Sequence, residues 1–164
     1  MNITLEKGIA TVKDMLLSRE YTDISVSKNI IRCDKLMAFF SKEPKITINH
    51  IKEFIALLDD EGYNHGIFIY PNTITPSAKK AIDVIDKTVE LFELTEVQYN
   101  ITAHRLVPRH EKLTGLIYQE IKVKYGKSIP YMLSTDPISR YYRYRKGDII
   151  KIERKEGVIY RIVI

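Results

Sequence analysis

STDPISRYYRYRKGDIIKIERKEGVIYRIVI, residues 134–164, sets the architecture of the second half of this chain. Asp136 followed by Pro137 is a helix start: the carboxylate accepts an orphan first-turn N–H, and proline at the first helical position has no N–H to lose. One or two turns to Tyr142 are expected. Beyond them, two Ile-rich strands are expected, Asp148–Arg154 and Val158–Val163. Lys155-Glu156-Gly157 then reads as a three-residue hairpin loop, with glycine where a positive φ is needed. Just upstream, Thr114 can cap a helix carrying Leu116, Ile117 and Ile121, with Gly126 as its stop. The sum is a small α+β module ending in a β-hairpin.

The first half has a different grammar. Leu5, Ile9, Val12 and Leu16 recur at helical spacing and predict an amphipathic helix to about Tyr21. Thr47 can cap a second helix with the stripe Ile48, Ile51, Ile55 and Leu58, stopped by Gly62. GIFIY, residues 66–70, is a short apolar run consistent with a buried strand. Pro71-Asn72 breaks it, and Thr75-Pro76 starts a third helix that turns Ala78, Ala81, Ile82 and Ile85 inward. Short strands are expected around Ile30 and Met37, and further strands over Thr88–Phe92 and Val97–Ile101. Alternating helices and strands imply an α/β domain with a largely parallel sheet over residues 1–98, followed by the α+β module over 99–164.

Charge divides along the same line. Residues 1–98 hold 12 Lys and Arg against 15 Asp and Glu, while residues 99–164 hold 14 against 6. A basic half can face nucleic acid or an acidic protein surface, and charge alone does not choose. A hydrophobic fraction of 45% and a charged fraction of 29% are those of a soluble globular protein. No apolar run approaches a bilayer span and MNITLEKG has no secretory h-region, so an intracellular protein without membrane attachment is expected. The single Cys33 excludes an internal disulfide and, lacking a CxxC or paired Cys/His spacing, argues against zinc.

Most chemistry-bearing residues have a plain reading. His104 and His110 flank Pro108 with no third ligand type nearby, so core or interface hydrogen bonding is expected of them, and equally of His50 and His65. Asp59-Asp60-Glu61 reads as a solvated helix end and Ser77 as a capping hydroxyl. Cys33 has no basic neighbours and reads as a buried thiol. With no phosphate loop and no nucleophile elbow, nothing points to catalysis, a metal or a cofactor. Two stretches keep a functional reading beside a plain one. NTITPSAKK, residues 72–80, offers a helix N-terminus with Lys79 and Lys80 to a phosphate, or is an ordinary capped surface helix, which the physics favours. RYYRYRK, residues 140–146, interleaves bases and aromatics as single-strand binders do, or is a short helix with tyrosines inward and arginines outward, again the favoured reading.

HRLVPRH (104–110), IP (129–130), TDPISRYY, RKGDIIKI and the closing YRIVI together resemble the C-terminal assembly domain of the fifth subunit of eukaryotic DNA-dependent RNA polymerases, the part of that subunit that has an archaeal equivalent. TVKDMLLSREY, GIFIY and ITPSAKK resemble the jaw domain, which the eukaryotic subunit carries and the archaeal one lacks. The resemblance implies a non-catalytic scaffold subunit, not an obligate homo-oligomer, whose assembly domain docks on the largest subunit beside other polymerase subunits. Its jaw domain would lie by downstream double-stranded DNA, contacted through phosphates. The assembly surface implied is His104, Leu106, Val107, Pro108, His110, Pro130, Asp136, Pro137, Arg140 and Tyr141; the DNA-proximal residues are Asn72, Thr73, Thr75, Pro76, Ser77, Lys79 and Lys80. The chain departs from the family pattern at Arg105, usually acidic, and at Arg143, usually glycine. The final loop is shorter, and the jaw is trimmed between its first helix and Pro44. These departures and the AT-rich character of the composition point to a polymerase of a large DNA virus, with virion and host cytoplasm as its place, or the nucleus if cellular. A free-standing nucleic-acid-binding module and a polymerase-associated adaptor are the alternatives.

Overall fold

A computed structural model describes residues 3–164, which divide into two compact units, one up to Tyr99 and one over Asn100–Ile164. In the first, helix α1 (Leu5–Ser18) leads into strands β1 (Ser25–Ser27), β2 (Ile30–Arg32) and β3 (Met37–Phe40). Then follow β4 (Lys45–Ile46), α2 (Ile48–Asp60), β5 (His65–Tyr70), β6 (Thr73–Ile74), α3 (Pro76–Val84) and β7 (Thr88–Glu93).

Five strands form one sheet in the order β1-β2-β3-β5-β7. The two α-helical crossovers make β3, β5 and β7 parallel, whereas β1, β2 and β3 pair antiparallel through short turns. The sheet is therefore mixed rather than largely parallel, because no helix lies between β1, β2 and β3 with which to cross over. On one face Ile51, Phe54 and Leu58 of α2 and Ala78 of α3 pack against Met37 and Phe68. α1 covers the other, where Gly8 lies against Phe40 and Leu94. With both faces covered, β5 is buried from His65 to Ile69, which is why GIFIY shows no polar alternation. Each fully buried Ile, Leu or Phe here contributes about 1.5–3 kcal/mol.

Val97–Ile101 is not a strand. The chain turns after β7, and Gln98 is pinned by its own amide: Oε1 accepts from Thr4 N at 2.8 Å and Nε2 donates to Thr4 O at 3.1 Å. A 3-10 turn, Ile101–Ala103, follows under an Asn100 cap.

The second unit contains β8 (Arg109–Lys112), α4 (Gly115–Tyr125), β9 (Tyr131–Met132), α5 (Pro137–Tyr142), β10 (Ile149–Arg154) and β11 (Gly157–Val163). Its sheet runs β8-β10-β11-β9, with β9 parallel to β11. Alternation in β10 sends Ile150 and Ile152 to one face, where Ile138, Met132, Val107, Tyr142 and Tyr144 meet them. Ile149 points to the other, toward Leu113, Ile129, Tyr118 and Ile121. α4 thus turns Tyr118 and Ile121 inward and leaves Leu116 and Val123 exposed, at 81% and 84%, with Ile117 also outside. The expected stripe of Leu116 and Ile117 is corrected: cross-sheet packing against Tyr160 and Ile162 selects the adjacent face. The hairpin loop is shorter than expected, because Gly157 pairs with Arg154 and only Lys155 and Glu156 lie between; Gly157 still takes φ 140°.

Candidate functional site

Residues 71–80 are built from both sides. β6 pairs in parallel with β4, and Thr75 N donates to Ile46 O at 2.9 Å, so the loop is fastened to the residues before α2. Thr75 caps α3 by accepting from Ala78 N at 3.3 Å, and its hydroxyl lies 3.1 Å from that of Ser77. Lys79 N is already bonded to Thr75 O, at 3.1 Å. Pro76 has no N–H, so the first turn offers an approaching anion the Ser77 amide rather than several groups. Ala78 is buried, while Asn72, Thr73, Pro76, Ser77, Lys79 and Lys80 are exposed. The two lysines, about 100° apart around the helix axis, reach over different sectors of that surface.

In the second unit, the residues singled out from sequence surround the face of the sheet that α5 covers. His104 is exposed and its Nδ1 accepts from Leu106 N at 3.3 Å, while Val107 N donates to His104 O at 2.8 Å. This compact turn throws Leu106 outward and Val107 into the core. His110 is half-buried and its Nδ1 lies 2.7 Å from Pro108 O. The carbonyl can only accept, so Nδ1 carries the proton. Burial pushes the imidazole pKa down, with Arg154 and Arg161 in support and the Pro108 bond and Asp136 in opposition. Asp136 Oδ1 accepts from Ile138 N at 2.8 Å, and Pro137 occupies the first helical position, as the sequence predicts.

Arg143 follows in the left-handed conformation, φ 56° and ψ 45°, closing α5 with its N–H on Ser139 and Arg140. The backbone thus makes the turn that glycine usually makes, with a side chain in place. Tyr141 is 3% exposed, so it supports this surface from beneath instead of forming part of it, while Arg140 is half-buried. Pro130 stands before β9, across the sheet from His110 in β8, and its carbonyl accepts from Ile162 N at 2.9 Å. The predicted residues therefore span one face from edge to edge.

The tyrosines of RYYRYRK turn inward. Tyr142 stacks on Tyr144 with centroids 5.2 Å apart, and both belong to the core beneath α5. Burial raises the pKa of both hydroxyls. Tyr142 and Tyr144 thus spend much of their ring surface on the core and on each other.

Elsewhere the plain readings are refined. Cys33 is buried and its thiol pKa is pushed up by desolvation. Two members of the acidic run are paired: Asp59 with Lys87 at 2.8 Å, and Glu61 with Arg32 through two bonds of 2.6 Å. Sequence reasoning missed a buried group in the first unit, where Glu90 receives Arg19 and His65, and His65 also meets Tyr21. No local signal marks it, since Arg19 and Tyr21 come from the end and exit of α1, His65 from β5 and Glu90 from β7.

Residues 99–163 match the family model described as RNA polymerase Rpb5, C-terminal domain. The chain is 31% identical over 149 residues to the Dictyostelium discoideum protein named DNA-directed RNA polymerases I, II, and III subunit rpabc1, covering 87% of this chain and 76% of the relative. It is 31% identical over 147 residues to DNA-directed RNA polymerase subunit 5-like protein 1 of Arabidopsis thaliana, covering 86% and 70%. With Caenorhabditis elegans RPABC1 it shares 31% over 157 residues, 90% of this chain and 74% of the relative.

Proposed function

Because this chain belongs to the fifth-subunit family of eukaryotic-type DNA-directed RNA polymerases, we propose that it is a non-catalytic subunit of such an enzyme. Its second unit docks on the largest subunit and its first contributes to the lower jaw by downstream DNA. The observation that carries this reading is the extent of the similarity, which runs through both units at once, with 87% of the chain aligned to one relative. Among the described residues the most perturbed carboxylate, Glu90, is taken up by structural pairing with Arg19 and His65. Residues 1–98 serve as jaw and 99–164 as assembly domain. Asn72, Thr73, Thr75, Pro76, Ser77, Lys79 and Lys80 lie toward DNA, and the surface around His104–His110, Pro130 and Asp136–Arg140 toward protein. A large DNA virus is the source favoured by the composition and the departures from the family pattern.

Affinity purification from the native source tests this. Recovery in 1:1 stoichiometry with the two largest polymerase subunits is expected, and residues 99–164 alone should still join the complex. A protein recovered without polymerase subunits refutes it; a substoichiometric one is an adaptor. The reading as a free-standing nucleic-acid binder is less well supported, because Tyr141 is buried and Tyr142 and Tyr144 are partly buried against the core.

A further inference from the structure

A cavity of about 580 Å³ opens between the 104–108 turn and the tip of the β10–β11 hairpin. Arg105, Arg154 and Lys155 line it and are all exposed, and among the described residues none of them has an ion-pair partner. Its two acidic members are unequal: Glu153 is bonded to Lys151 at 2.7 Å, which leaves Glu156. Its apolar wall is Pro108 with Leu106, a leucine 76% exposed because the His104 turn holds it away from the core. Three cations without partners around an exposed leucine form a surface whose charge is unsatisfied and whose apolar area is uncovered.

We infer that this cleft receives an acidic protein segment bearing an apolar side chain, which sits on Leu106 and Pro108 while its carboxylates meet Arg105, Arg154 and Lys155. Arginine favours such a role because its planar fork pairs carboxylates bidentately. A nucleic-acid backbone fits less well, because the apolar wall of Leu106 and Pro108 offers phosphates nothing and is matched by an apolar side chain. The inference rests on the reading that this unit docks on polymerase, and specifies the chemistry of the partner segment.

The test uses the full chain and a polymerase purified through a tag on its largest subunit, with retention measured after washes of rising salt. Wild type is expected to stay at low salt and to leave progressively as salt screens the charge pairs. The variant Arg105→Glu/Arg154→Glu/Lys155→Glu should be retained at least tenfold less, with the corresponding glutamine variant in between. Unchanged circular dichroism melting shows that the variants are folded; should the reversal variant melt early, the glutamine variant carries the comparison. Wild type and variants retained equally would overturn the cleft and leave docking standing. Wild type not retained at all would overturn the docking reading itself. A photo-crosslinking residue in place of Lys155 identifies the occupant: an adduct to an Asp- and Glu-rich peptide of a polymerase subunit supports the inference, whereas a neutral or basic peptide, or nucleic acid, overturns it.

Discussion

Arg19 lays both terminal guanidinium nitrogens on the carboxylate of Glu90, each at 2.9 Å, with the arginine side chain 3% exposed. His65 Nε2 approaches the same carboxylate at 2.7 Å. Burial alone would raise the Glu90 pKa, but the His65 hydrogen bond and the charge and bonds of Arg19 outweigh it and hold it at about 2. This group ties the end of α1 to β5 and β7, two neighbouring strands of the sheet.

Glu90→Gln should destabilise the first unit by about 3–5 kcal/mol, since it leaves a buried guanidinium without its countercharge. The wild type should show the linked acid sensitivity. A depressed carboxylate contributes stability that is full above the ordinary pKa of 4.5 and lost as pH falls toward 2. That loss amounts to about 3 kcal/mol. Denaturant midpoints from pH 7 down to 2 measure it; a flat wild-type profile across the acid range would contradict the pairing.

Gly66 is closed to a side chain. A Cβ there would lie 2.7 Å from Phe54 Cζ and 2.9 Å from Leu58 Cδ1. Gly66→Ala should therefore cost about 1–3 kcal/mol by overpacking. Adding Phe54→Leu should recover part of that loss in thermal unfolding, and a double variant no better than the single one would show that the clash lies elsewhere.

Arg143 sits at φ 56°. Arg143→Gly should leave stability within about 1 kcal/mol of wild type, relief of strain offsetting the added chain entropy, whereas Arg143→Val should lose about 1–2 kcal/mol more. Valine and glycine melting alike would mean that this turn is not left-handed in solution.

Asp136→Ala removes the cap on Ile138 N and should cost about 1 kcal/mol. Incorporation into polymerase should fall only partly, because Pro137 and the packing of Ile138 remain. Complete loss of incorporation with an unchanged melting curve would instead make the carboxylate a direct contact.

Lys79→Glu with Lys80→Glu should leave assembly intact and shorten elongation-complex lifetimes as salt rises. Removing one phosphate pairing lowers the salt slope by about 0.9, equally for all sequences. Indistinguishable slopes would mean that residues 72–80 form a capped surface turn and nothing more.

Local signals in the amino-acid sequence were enough for several elements. Thr75-Pro76 and Asp136-Pro137 start their helices where expected, Gly126 ends α4, GIFIY is a buried strand, and the last hairpin forms, because cap chemistry and side-chain period operate within a few residues. The likeness to the polymerase subunit was legible for the same reason, since it rests on contiguous blocks such as HRLVPRH and DPISRYY. Whatever depends on partners far along the chain was settled by tertiary packing alone. It paired Arg19 with Glu90 across 71 residues, made β8 and β9 the edges of a sheet, and turned Tyr118 and Ile121 of α4 inward in preference to Leu116 and Ile117. It also buried Tyr141 of α5 and brought Arg105 beside Arg154 and Lys155. Period and propensity specify that a residue has an apolar or charged neighbourhood to find; which neighbourhood it finds is set by strand pairing and the packing of faces, and these join residues that the sequence keeps apart.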